Sequence, residues 1–246
     1  MAIALDATGS GESQTNNTTA TMAITVGTIS NGILVVFVSW IDAQAGTASV
    51  SSVSSNVDGA LTAVASSTAT VLATDGADWG LAAYYLLSPT AGAHTITLTM
   101  SENTNNKFIG GSSYSGVNQS APLGTAITTT GTTGNPVSLA NIESVADDFV
   151  LGGILTYADA GNDPTASVGT RRWVQNETAV EGSAAAHLDV TATGTATTVT
   201  WGRQSAIAYL LNGFALKQAA AGAASGSLLL LNPNLHGNLY GLRTHL

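Results

Sequence analysis

An unbroken apolar stretch, Gly-Ile-Leu-Val-Val-Phe-Val-Ser-Trp-Ile-Asp at residues 32–42, constrains this chain more than any other feature. Its β-branched and aromatic side chains favour a strand. A strand with one wet face alternates apolar and polar residues; this one does not, so it must be covered on both faces or nearly so. Two later stretches repeat its character, Asp-Phe-Val-Leu-Gly-Gly-Ile-Leu-Thr-Tyr at 148–157 and Ala-Ile-Ala-Tyr-Leu-Leu-Asn-Gly-Phe-Ala-Leu at 206–216. These three runs are the spine of the fold that the sequence predicts: all-β, an antiparallel β-sandwich of jelly-roll-like kind, with an extended C-terminal arm.

The intervening sequence supplies half-buried strands and turns. His-Thr-Ile-Thr-Leu-Thr-Met at 94–100 is the cleanest alternation, with Ile96, Leu98 and Met100 inward and the threonines outward. Residues 21–26 alternate likewise. A short first strand over 2–8 is predicted to end at Gly9-Ser10-Gly11, and Asp58-Gly59 is a hairpin signal. The broken parity of Val50, Val53 and Val57 calls for a bulge or turn, and Gly110-Gly111 for a bulge or a close backbone approach. Turn signals every 8–12 residues or so favour a sandwich or jelly roll. Poor helix formers dominate up to residue 217.

The sandwich is predicted to span residues 1–217. Two pseudo-repeated halves, 1–120 and 136–217, are readable within it, because in each a threonine-alternating strand (95–100, 197–201) precedes a glycine-containing apolar one (108–117, 207–216). The segment 118–136, with Pro122, Gly124, Gly131 and Gly134, reads as a connection inside one sandwich or as a linker between two domains. Residues 218–227 are an Ala/Gly/Ser tether. Residues 228–246 form an apolar segment too short and too interrupted by Pro233, Gly237 and Gly241 to fold alone. Its Leu228, Leu229, Leu230, Leu231, Pro233, Leu235, Leu239, Tyr240, Leu242 and Leu246 would leave a large apolar patch in water. A buried leucine contributes about 1.5–3 kcal/mol, so these residues are the predicted partner-binding surface, docking on a neighbouring subunit.

Composition narrows the function classes. Charged residues make up 9% of the chain, against roughly 25% in an ordinary soluble domain. Hydrophobic residues, at 44%, come in regular blocks, which argues against disorder. No apolar run approaches the ~18 residues of a helical membrane span. A surface of Thr, Ser, Asn, Gly and Ala requires few charges to be desolvated when identical copies pack together. Net charge is −9 with six basic residues, and Arg171-Arg172 is the one basic pair, so nucleic acid is not an expected ligand. With no cysteine, disulfides and Cys-based zinc sites are excluded. The N-terminus lacks the basic region and long apolar core of a signal peptide.

No catalytic constellation emerges. Gly-Ser-Ser-Tyr-Ser-Gly at 111–116 misses the Gly-x-Ser-x-Gly spacing, and His94, His187, His236 and His245 are well separated, reading as solvent-facing or satisfied strand residues. The chain is therefore not expected to be an enzyme, and no cofactor is expected. Asp159, Asn162 and Asp163 are weak calcium candidates whose alternative is an Asx turn. Trp40, Trp79 and Trp201 fall in strand patterns and belong to the core; Trp173, after the arginine pair, is the candidate glycan contact.

Residues 32–40, Tyr-Tyr-Leu-Leu-Ser-Pro-Thr-Ala-Gly at 84–92 and Tyr-Ser-Gly-Val-Asn-Gln-Ser-Ala-Pro-Leu-Gly at 114–124 together resemble a β-sandwich domain that recurs in bacterial surface proteins and in phage or environmental virion proteins. The resemblance covers about residues 20–217 and implies a fold rather than an activity. Leu-Leu-Leu-Leu-Asn-Pro-Asn-Leu at 228–235 resembles the C-terminal ends of phage structural proteins. The resemblance implies a virion structural protein, a capsid decoration or fibre-like subunit, assembled in the host cytoplasm with copies of itself and another virion protein as partners. The alternatives are a carbohydrate-binding or adhesive module and a surface-filament subunit.

Overall fold

The computed structural model describes residues 1–42, 48–72, 77–156, 163–176, 184–203 and 208–220. Its elements are strands, and every pairing between them is antiparallel. The first half contains β1 (Ala4–Ser13), β2 (Asn17–Val26), β3 (Ile33–Asp42), β4 (Val50–Ser55), β5 (Gly59–Ala60), β6 (Thr62–Ala63), β7 (Ala69–Leu72), β8 (Asp78–Leu87), β9 (Gly92–Thr104) and β10 (Asn106–Ser115). They form one sheet in the order β1-β10-β3-β8-β6, with β7 also on β8, and a second in the order β2-β9-β4-β5. Successive long strands alternate between sheets and the first lies beside the last, which is the strand order of a jelly roll.

The second half contains β11 (Ile127–Gly131), β12 (Val137–Glu143), β13 (Phe149–Thr156), β14 (Thr165–Val168), β15 (Thr170–Asn176), β16 (Ala184–Thr191), β17 (Ala196–Gly202) and β18 (Tyr209–Leu216). Their sheets run β11-β18-β13-β16-β15 and β12-β17-β14. Strand for strand this repeats the first half, β11 standing for β1, β13 for β3, β16 for β8 and β18 for β10. Each half closes a sandwich of its own, and the two wider sheets then pack on each other, giving four layers.

That stacking explains the long apolar runs. Along β3, Leu34, Val36, Val38 and Trp40 enter the core of the first sandwich, while Ile33, Val35, Phe37 and Ile41 enter the layer between sandwiches. In β13, Val150 and Ile154 face the second core and Leu151 and Leu155 the shared layer; in β18, Leu211 and Ala215 divide from Leu210, Phe214 and Leu216 in the same way. A strand between two cores has no wet face, so neither parity can be polar.

One local feature departs from the sequence reading, and a second decides between its alternatives. β1 continues through Gly9 and Gly11 to Ser13 instead of stopping. A Cβ on these glycines would lie 2.2 Å from the Ala23 carbonyl oxygen and 2.1 Å from that of Thr21, so they let β1 lie against the β2 backbone. The Gly110-Gly111 pair is a close approach and not a bulge: β10 pairs with β3 without a register break, and the indole of Trp173 occupies the space where a Gly110 side chain would be. The predicted irregularity near Val50 is present as a register shift between Val50 and Ser52.

Candidate functional site

The outer sheets present hydroxyl rows to solvent. On the first, the β2–β9–β4 register aligns Thr19 with Thr99 and Ser52, and Thr21 with Thr97 and Ser54. The apolar partners of these residues, Ala20, Met22, Ile96 and Leu98, point into the core. On the second, Ser138, Thr200 and Val168 share a row, with the Ser138 and Thr200 hydroxyls 2.9 Å apart. None of these rows carries a charge.

The shared layer holds the most unusual polar group of the molecule. β10 contributes Ser112 and Tyr114, β15 contributes Arg172 and Trp173, and β16 contributes His187 and Asp189. The Tyr114 hydroxyl donates to Asp189 Oδ2 at 2.9 Å, and Arg172 Nε donates to the same oxygen at 2.7 Å. His187 is fully buried, stacks on Phe37 at 4.7 Å between ring centroids, and places Nδ1 3.5 Å from Ser112 Oγ; its Nε2 has no partner. Burial, assisted by the Arg172 charge, pushes the imidazole down to about 3. Burial and the neighbouring Asp189 carboxylate push the Tyr114 phenol well up.

A serine beside a histidine invites a catalytic reading, but the geometry gives it no support. Both side chains are 0% exposed, and the Asp189 oxygen that would orient a catalytic histidine is bonded to Tyr114 and Arg172. The group instead ties β10 of one sandwich to β15 and β16 of the other. Asn212 Nδ2 donating to the Ser67 carbonyl at 2.9 Å and Gln175 Nε2 donating to Ser10 Oγ at 2.9 Å add further cross-links. Sequence reasoning read His187 as an ordinary strand histidine; the signal it passed over was the apolar Ala184-Ala185-Ala186 run leading into it.

The sequence-derived candidates fall in separate places. Trp173, the candidate glycan contact, is 7% exposed, with its indole packed on Gly110, while Arg171 beside it donates to the Pro164 carbonyl and Arg172 to Asp189. Asp163 accepts from Asn176 Nδ2 at 2.6 Å and lies 3.8 Å from Arg171, so its carboxylate is engaged within the β14–β15 region; Asp159 and Asn162 lie outside the described residues. Among the described residues no three His, Asp or Glu side chains gather as metal ligands. Residues 228–246, the whole proposed docking arm, also lie outside the described residues, as do 221–227 of the tether. Trp40, Trp79 and Trp201 are core residues at 1%, 4% and 0% exposure. His94 is buried and satisfied, with Nδ1 2.9 Å from Ser55 Oγ and Nε2 2.7 Å from the Thr90 carbonyl. No described helix is long and apolar enough to cross a membrane.

No family model, no curated protein and no solved structure matches this chain.

Proposed function

We propose that this protein is a structural subunit built for assembly, a virion component of the capsid-decoration or fibre-like kind. The observation that carries the reading is the sparsely charged outer face: uncharged rows of threonine and serine hydroxyls on regular antiparallel sheets, with Glu102 on β9 and Glu143 on β12 lying outside those rows. A copy docking on these rows desolvates no ion of theirs, and each hydroxyl can exchange its water for a hydroxyl or carbonyl opposite. The jelly-roll strand order adds support by analogy of fold, since capsid proteins use it, as do lectins and cupins.

The C-terminal segment supplies the second half of the proposal. The described chain reaches the surface at Ala220, just after Ala219 donates its amide to the Gly116 carbonyl at 2.8 Å and accepts from the Met1 amine at 3.1 Å. About twenty extended residues reach roughly 65 Å, far enough to lie on an adjacent subunit, where leucine burial and strand addition would hold them. Deleting residues 221–246 leaves every described strand intact. The truncated protein is expected to keep its thermal unfolding transition and lose its oligomers in mass photometry. Oligomers undiminished by the deletion would remove the arm from the proposal.

A further inference from the structure

The apolar layer between the two sandwiches comes to the surface at one edge. Val64, just after β6, and Ala126, just before β11, belong to that layer at 4% and 6% exposure, and Tyr85 and Leu123 pack against it while staying partly exposed. Together they wall a groove of about 390 Å³, with Ala65 exposed among its lining residues. No lining side chain is charged. The volume falls within the roughly 300–1,000 Å³ of ordinary binding pockets. An ionic partner would find no countercharge there, whereas aliphatic side chains would extend a core that already exists.

The chain itself leads to this groove. Leu123 bridges Leu216, Lys217 donates its amide to the Pro122 carbonyl at 2.8 Å, and Val117 bridges Gln218. Residues 216–219 thus run antiparallel along a segment whose far end is a wall of the groove. Ala220, four residues past Leu216, lies at most about 14 Å from it. Eight residues further stands Leu228, the first of four consecutive leucines. An Ala/Gly/Ser coil of that length has an r.m.s. span of about 16 Å. Span and return distance match, the condition under which a tether gives its highest effective concentration.

We propose that the four leucines 228–231 seat in this groove of their own chain. Alternate side chains of an extended segment face opposite ways, so two enter the groove and two cover its rim. In the free subunit this shields the apolar arm from water. Every copy carries the same groove, so in an assembly the arm can pass to a neighbour's seat by domain exchange; that exchange, unlike the seat, rests on the assembly reading.

The chain has no cysteine, so an engineered pair reports this contact alone. In the dilute full chain, Ala65→Cys with Asn232→Cys is expected to form an intrachain disulfide under mild oxidation about tenfold faster than Ser30→Cys with Asn232→Cys. Ser30 is exposed and its carbonyl accepts from the Gly116 amide at 3.0 Å, beside the Ala219 contact, so the tether reaches it without a groove to hold the arm. Changing all four leucines to serine leaves the tether untouched and should bring the first pair down to the rate of the second. Peptide mapping by mass spectrometry identifies the link. Equal rates for the two pairs, a rate indifferent to the serine changes, or a link found only between chains would each overturn the seat. Equal rates in a protein whose oligomers are lost on deleting 221–246 would overturn the seat and leave the assembly reading standing. Fast linking in one whose oligomers survive that deletion would uphold the seat and remove the exchange.

Discussion

His187 should make the molecule acid-sensitive, and the size of the effect follows from its surroundings. The buried imidazole is held down to about 3, while the unfolded chain restores it to the ordinary 6.5. Between these values the unfolded state takes up a proton that the folded state refuses. Stability is therefore unaffected by this group above about pH 6.5 and falls as pH drops, by about 1.4 kcal/mol per pH unit, until the folded state also protonates near pH 3. At pH 4 the loss is about 3 kcal/mol, a large share of the 5–15 kcal/mol that holds a typical domain together. The charged groups packed around the ring are Arg172, which opposes its protonation, and Asp189, whose carboxylate is already shared by Arg172 and Tyr114. His187→Phe keeps an aromatic ring against Phe37 and removes the titrating group. Urea unfolding of both proteins at pH 7, 5.5 and 4 isolates the contribution, because other carboxylates titrate alike in the two. The variant is expected to lose about 3 kcal/mol less than the parent between pH 7 and pH 4. Parallel pH profiles would refute the reasoning, since they would mean that the imidazole is solvated or finds an anionic partner when charged.

Gly110→Ala tests the packing between sandwiches: the new Cβ would sit 2.2 Å from Trp173 Cε2 and 2.4 Å from Cδ2, on a ring that cannot retreat from its strand. A cost of about 3 kcal/mol is expected, lowering Tm by roughly 6–12 °C, while Gly194→Ala, with nothing within 4 Å of its Cβ, should leave Tm unchanged; equal effects of the two would discount the Trp173 contact. Lys107 is fully buried and donates from Nζ to the carbonyls of Thr15, Asn17 and Thr104, which join the β1–β2 turn to the end of β9. Lys107→Met leaves these acceptors unmatched and should cost about 3 kcal/mol at pH 7. Burial lowers the amine to about 8 from 10.5, so the parent gains stability as pH rises between those values; chemical unfolding at pH 7 and 10 should show that gain in the parent and not in the variant.

The layers of the fold were legible because burial on both faces leaves a mark that needs no partner to be known. A strand such as β3 must carry apolar side chains at both parities, and this is visible in residues 32–42 alone. What lay across each face was not legible. Trp173 follows two arginines and resembles a surface aromatic, and only the Gly110 backbone on another strand, far away in sequence, supplies the recess that takes its ring inward. The same holds for Ser112, Tyr114, Arg172 and Asp189. In sequence they are scattered polar residues on alternating strands, and their meeting depends on how two sandwiches face each other. Gly9 and Gly11 misled for a related reason: glycine reads as a stop, yet here it lets β1 run against the β2 backbone. The repeat of strand order was faint because the matching strands share hydrophobic parity and little else.

The disposition of the few charges connects the interior to the surface. Every basic side chain among the described residues is engaged within the fold. Lys107 is held by three carbonyls, Arg171 donates to the Pro164 carbonyl, Arg172 to Asp189, and Lys217 lies 3.2 Å from Asp148, while the Arg203 guanidinium stands 4.9 Å from the Tyr209 ring centroid. Cations so engaged cannot form the contiguous basic stripe that a polyanion needs, and the chain is acidic besides, at −9. Their work is done at turns and between the sandwiches, where a charge-assisted bond in reduced dielectric fixes one arrangement of two sheets that apolar contacts alone would specify less sharply. With the cations used there, the outer sheets carry threonine and serine rows and, among charged groups, the carboxylates Glu102 and Glu143. A protein that met its partners by electrostatic steering would distribute charge the other way, keeping its interior apolar and its faces charged. This chain places its described ion pairs within the fold and leaves its outer hydroxyl rows neutral.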